Sequence, residues 1–105
     1  VPIQQWKFKI FIKIKKMKIK LELFGASRDF SNKDHLSLEI QEKASVDDLR
    51  NEIIKYLDKN FKGNESFIKV VKSSAFCCEN NEIISDNYKI TKDQKIGIIP
   101  PIGGG

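Results

Sequence analysis

From Met17 to Leu23 every second residue is apolar (Met17, Ile19, Leu21, Leu23) and each one between is charged (Lys18, Lys20, Glu22). Successive side chains of an extended chain point to opposite faces, so the stretch reads as a strand with one face on a core and the other in water. From Trp6 to Ile14 the alternation is as regular but falls on even positions: Trp6, Phe8, Ile10, Ile12 and Ile14. The phase flips at Lys15 and Lys16. A single strand cannot bury both sets on one face without a bulge or a break. The domain is therefore expected to begin at Met17 and run over residues 17–105, with residues 1–16 as an appended basic extension. An extra strand is the other reading of the same alternation.

Downstream, Lys18–Phe24 is the expected first strand, ended by Gly25, and Ala26–Phe30 a short turn or helical piece. Leu36, Leu38 and Ile40 alternate with Ser37 and Glu39, which predicts a half-buried antiparallel hairpin partner. Ser45 followed by Asp48 matches a capping box, so a helix is expected from Val46 to about Lys59. Val46, Leu49, Ile53, Tyr56 and Leu57 fall along one of its faces, which must cover a sheet. Gly63 is placed to supply a left-handed cap, and Phe67–Ser73 reads as an extended, β-branched stretch. Ala75–Cys78 and Ile83–Ile84 flank Glu79-Asn80-Asn81-Glu82, a hairpin whose asparagines tolerate positive φ. A last strand, Ile96–Ile99, runs into Pro100. This order predicts an α+β, ubiquitin-like β-grasp fold, a mixed sheet packed on one main helix.

A chain of 105 residues has room for one modest core and little for an enclosed substrate pocket, which points to a carrier, a binding module or a subunit that completes a partner's active site. Its net charge of +5 is lopsided. Seven lysines and no acid lie in residues 1–20, leaving 12 cations against 14 acids, a net −2, for residues 21–105. A nucleic-acid interface would have to rest on the arm alone, so no nucleic-acid partner is expected. No stretch is apolar enough to cross a bilayer and no secretory or mitochondrial leader is evident, so no membrane association is expected and the cytosol is the default location. Cys77 and Cys78 are adjacent and form no disulfide framework, and with the single His35 they make no zinc site. One thiol packed inward and one facing out on a strand is the expected arrangement. His35 beside Asp34, and Arg28 beside Asp29, read as surface pairs without a catalytic role.

The C-terminus carries the functional signal. Ile98-Ile99 leads into Pro100-Pro101-Ile102 and then Gly103-Gly104-Gly105. Prolines lack amide donors and fix φ, so the tail should leave the sheet extended, and glycines let a partner close a narrow channel around the backbone. Alternation places either Ile98 or Ile99 inward.

The tail resembles the Pro-Pro-x-x-Gly-Gly ending of molybdopterin synthase small subunits, ubiquitin-like sulfur carriers of the MoaD/ThiS family. Ile19–Phe30 (IKLELFGASRDF) is similar to that family's opening strand and short helix, and Ser45–Leu57 to its main helix. Two departures stand out: Gly103 occupies a position that is often a small polar residue, and Lys92-Asp93-Gln94 replaces an acidic, glycine-containing turn taken to lie near the tail. The resemblance implies that Gly105 is the reactive residue, joined first to AMP and then carrying sulfur as a thiocarboxylate. It implies that Gly104 and Gly103 thread a partner's channel, and that Ile102, Pro101, Pro100 and Ile99 dock against partners. The implied partners are a large subunit, in a heterotetramer of two small and two large chains, and an adenylyltransferase/sulfurtransferase resembling ubiquitin-activating enzymes that uses ATP. The chain would itself be a non-catalytic carrier with no resident cofactor or metal, the catalytic side chains lying on the large subunit. Carriers for thiamine thiazole synthesis or tRNA thiolation, and ubiquitin-like protein modifiers, share the same terminal chemistry.

Overall fold

The computed structural model describes residues 16–101. Strand β1 is described over Lys16–Leu23, and its odd-numbered apolar residues are all buried. It pairs antiparallel with β2 (His35–Gln41), Ile19 opposite Leu38, as the alternation of both segments requires. Between them lies a 3-10 helix, Gly25–Phe30. Gly25 takes φ +55, a left-handed conformation that favours glycine. The fully buried Ser27 hydroxyl accepts from Phe24 N at 2.9 Å and donates to Phe24 O at 2.6 Å, closing the turn.

Helix α1 (Val46–Phe61) starts where the capping box places it. Asp48 N donates to Ser45 Oγ (3.1 Å) and Ser45 N to Asp48 Oδ2 (2.9 Å). Val46, Leu49, Ile53 and Leu57 are fully buried against the sheet, while Tyr56 is only partly covered. The helix runs past Lys59 to Phe61. Its left-handed cap is Lys62 (φ 51), with Gly63 (φ 73) following, and not Gly63 alone as the sequence suggested.

Backbone and side-chain hydrogen bonds from Ser45 hold the Asp48 carboxyl below its ordinary pKa. A carboxyl depressed in the folded state stabilises fully above the unfolded carboxylate range, and this contribution is lost as pH falls through the folded value. Ser45→Ala should therefore lower stability by about 1 kcal/mol near neutrality, with a smaller difference between the two proteins in acid. Urea titrations at both pH values would show it, and an equal loss at both would count against the cap.

The largest departure from expectation is Phe67–Ser73. The segment is helical, not extended: α2 spans Glu65–Ser73. Asn64 Oδ1 caps it by accepting from Phe67 N at 3.2 Å. Its β-branched residues favour strands, but Phe67, Val70 and Val71 lie three and four apart, a helical spacing that tertiary packing rewards. Val71 is fully buried, and the Phe67 ring sits 5.1 Å from Phe30 and 5.0 Å from Phe61 between centroids. A second, shorter helix thus packs against the main helix and the 3-10 helix.

The remaining chain forms β4 (Ala75–Cys77), β5 (Ile83–Ile84) and β7 (Gln94–Ile99) of the main sheet. Two short strands, β3 (Ala44–Ser45) and β6 (Lys89–Ile90), pair with each other and were not anticipated from the sequence. The β4–β5 hairpin turns through Asn81 at φ 64, with Asn81 N bonded to Cys78 O at 2.9 Å, as the asparagine pair predicts. Among the described residues the main sheet has five strands in the order β2-β1-β7-β4-β5, antiparallel except for the β1–β7 pair. This is the mixed, helix-covered sheet expected of a β-grasp fold.

Candidate functional site

Because β1 and β7 run parallel, with Leu23 opposite Ile98, their C-terminal ends meet at the same end of the sheet. The β7 ladder closes at the Ala75–Ile99 pair, and Pro100, having no N–H, cannot extend it. The first residues of the tail are thereby placed at the β1 turn. The Pro100 ring packs over Gly25, its Cδ and Cγ 3.9 Å from where a Cβ would lie. Pro100 is buried and Pro101 exposed.

Ile98 is the inward residue of the pair, fully buried, and Ile99 is half-buried on the opposite face. On one side of the exit, Pro100, Pro101, Ala26, Val70 and Lys69 line a shallow groove of about 310 Å³ between α2 and the 3-10 helix. On the open face of the sheet, a Cβ on Gly97 would lie 2.8 Å from Cys77 Sγ and 3.0 Å from Phe24 Cε2. The Phe24 ring is therefore packed over the bare backbone of Gly97, yet 43% of the residue is exposed. Phe24 is thus one of three large apolar residues exposed among the described residues, with Ile83 and Tyr88.

The structure brings together Ile99, Pro100 and Pro101. Ile102, Gly103, Gly104 and Gly105 lie outside the described residues. Phe24, Gly97 and the α2 groove were not identified from the sequence. Two signals pointed to them: Phe24 breaks the charged phase of the β1 alternation, and Gly97 is a glycine within an apolar strand, a mark of close approach. The Lys92-Asp93-Gln94 turn does not lie near the tail. Its last residue, Gln94, opens the six-residue β7, which puts it about 20 Å from Pro100 along the strand. Asp93 Oδ1 there accepts from Lys18 N at 2.8 Å and ties β7 to β1.

Cys77 is buried on the open face of the sheet, away from the main core, and Cys78 is half-buried in the turn; both are free. His35 lies 3.0 Å from the exposed Asp34, whose carboxyl is held below its usual range chiefly by that hydrogen bond. No metal-binding cluster occurs among the described residues, and none of their helices is long and apolar enough to cross a membrane.

A five-stranded β-grasp sheet whose central strand ends in a proline-framed tail defines the chain as ubiquitin-like. The ThiS family model matches residues 21–105, and the chain belongs to that family, as a ubiquitin-like sulfur carrier of the ThiS/MoaD type. Among solved structures it is similar to a Pyrococcus furiosus protein provisionally assigned as molybdopterin converting factor, subunit 1 (25% identity, TM-score 0.61, covering 82% of this chain and 99% of that one). The ubiquitin of Caldiarchaeum subterraneum (16% identity, TM-score 0.55, 87% and 100% covered) and the small archaeal modifier protein 1 of Haloferax volcanii (12%, 0.59, 82% and 99%) share the fold. No curated protein matches the chain.

Proposed function

We propose that the chain is the sulfur-carrying small subunit of a molybdopterin synthase, delivering sulfur from Gly105 to a pterin precursor. The observation that carries this reading is the route of the chain at the end of β7. The central strand stops at Ile99, Pro100 packs on the β1 turn, and Pro101 after it is exposed. Six residues follow Ile99, ending in Gly105, a reach of at most about 21 Å. That is enough for a terminal carboxylate to enter a partner's enclosed site while the domain stays outside. Family membership and the name of the Pyrococcus relative support the same reading.

The chemistry follows from the groups involved. A carboxylate is a poor electrophile, so an activating partner would first use ATP to convert Gly105 to an acyl adenylate, releasing pyrophosphate. A persulfide sulfur on a partner displaces AMP to give an acyl disulfide. A partner thiol then attacks the partner-side sulfur, leaving a thiocarboxylate on Gly105 and a disulfide on the partner. The thiocarboxylate sulfur is a nucleophile at neutral pH. Inside the large subunit, whose side chains supply the catalysis, positioning would bring it against cyclic pyranopterin monophosphate, and two deliveries complete one dithiolene. Ile99, Pro100, Pro101 and Ile102 dock the exit on partners, and Gly103 and Gly104 pass through the channel.

The test loads the chain with sulfur, adds a molybdopterin synthase large subunit and cyclic pyranopterin monophosphate, and measures molybdopterin. Product is expected with the full chain and none after deletion of Gly105. A thiocarboxylated chain that yields no product would reject the pterin pathway and shift the assignment to a thiazole or tRNA carrier.

A further inference from the structure

Among the described residues β2 has a single neighbour, β1, so none of them occupies its outer backbone edge. Its sequence, HLSLEIQ, contains no proline and no lysine, and Glu39 is its one carboxylate. The devices that usually blunt an exposed edge are thus nearly absent. On the core side of β2, Leu36 and Ile40 are 6% and 3% exposed, whereas Leu38 between them is only partly covered.

The arm ahead of β1 has the sequence pattern to complete that edge. Trp6, Phe8, Ile10, Ile12 and Ile14 alternate with Lys7, Lys9, Phe11 and Lys13. It cannot do so within one chain as a strand of that full length. Both edges of β1 are taken, by β2 and β7, so the arm would have to step over β2 to reach its free side. That is two strand spacings, about 9.6 Å. Residue 14 is two steps along the chain from Lys16, which is paired in β1, and that Cα path spans at most about 7 Å.

We infer that residues 6–14 of one copy add as a strand to the free edge of β2 in a second copy, and reciprocally, forming a strand-exchanged dimer. On the wet face the arm lysines come beside Glu39, whose register partner on β1 is Lys18, so charge alternates in sign across three strands. On the other face Phe8, Ile10 and Ile12 cover Leu38. The arm leaves β1 at its N-terminal end, and the Pro100 exit lies at the opposite end of the sheet, so exchange leaves the tail accessible. The inference is independent of the sulfur pathway.

Light scattering coupled to gel filtration, with backbone amide hydrogen exchange, tests it on three proteins: the full chain, the chain lacking residues 1–15, and the Ile10→Lys/Ile12→Lys variant. Both changes fall outside the described fold, so folding is retained. The full chain is expected to be a dimer with slowed exchange in β2, and both variants monomers with fast exchange there. Glu39→Lys, at an exposed position, should weaken the dimer several-fold. A monomeric full chain, a dimer that survives either arm change, or a dimer without added protection in β2 would overturn the inference.

Discussion

Arg50→Ala is expected to lower the unfolding free energy by about 3 kcal/mol, and Tm by on the order of 15 °C. Arg50 sits on α1 with its side chain only 12% exposed. Its Nη1 donates to Val71 O at 2.6 Å and Ser74 O at 2.8 Å, and Nη2 to Asp86 Oδ1 at 2.7 Å. The guanidinium also lies 4.9 Å over the Phe76 ring. The last carbonyls of a helix have no partner within it, and here one planar cation caps the end of α2 while binding the Asp86 loop and β4. Removing it strands the Ser74 carbonyl in a partly buried place. The Val71 carbonyl keeps only the Ser74 N–H at 3.3 Å.

Arg50→Lys should recover a minority of the loss, because a single ammonium nitrogen replaces the two separate nitrogens that reach Val71 O, Ser74 O and Asp86 Oδ1 and lacks the planar face laid over Phe76. The consequence reaches the functional site, since α2 carries Lys69 and Val70 of the groove beside Pro100. Denaturant unfolding with hydrogen exchange on α2 reads both effects. A loss under about 1 kcal/mol would show that the network is incidental.

The second large effect is Gly97→Val, expected to cost about 2–3 kcal/mol. A Cβ at this position meets Cys77 Sγ at 2.8 Å and Phe24 Cε2 at 3.0 Å. The Phe24 ring, half open to water, can swing away, but Cys77 stands on the paired strand directly opposite and has little room. Cys77→Ala should therefore relieve part of the penalty, so that the double variant is more stable than the sum of the single effects predicts. Strict additivity would show that the sulfur is not the obstacle. Because the displaced ring is Phe24, Gly97→Val should also weaken partner binding at the tail exit, whereas Cys77→Ala alone should not.

Local chemistry was sufficient for much of this protein. Period-two alternation specifies β1 and β2, with their pairing and faces, because a one-residue slip would turn Leu21 or Leu36 into water. Ser45 and Asp48 specify the start of α1, since a capping box is contained within four residues. The asparagine pair specifies the β4–β5 turn, and the Pro-Pro-Ile-Gly-Gly-Gly ending points to a carried group. In each case the deciding atoms are close neighbours along the chain.

Only tertiary structure decided the rest. Phe67–Ser73 has strand-like residues and became a helix because Val71 is buried in the core and Phe67 packs on Phe30 and Phe61, contacts no local window contains. Arg50 looked like one more charge on an amphipathic helix until the fold brought residues 71–74 and 86 around it. Which of Ile98 and Ile99 faces the core was settled by the registers of β7 with β1 and β4. The same parallel pairing, between strands more than seventy residues apart in the chain, places Phe24 and Gly97 beside Pro100 and moves the Lys92–Gln94 turn to the far end of the sheet. Alternation states that two faces exist; which neighbours meet across them depends on long-range pairing.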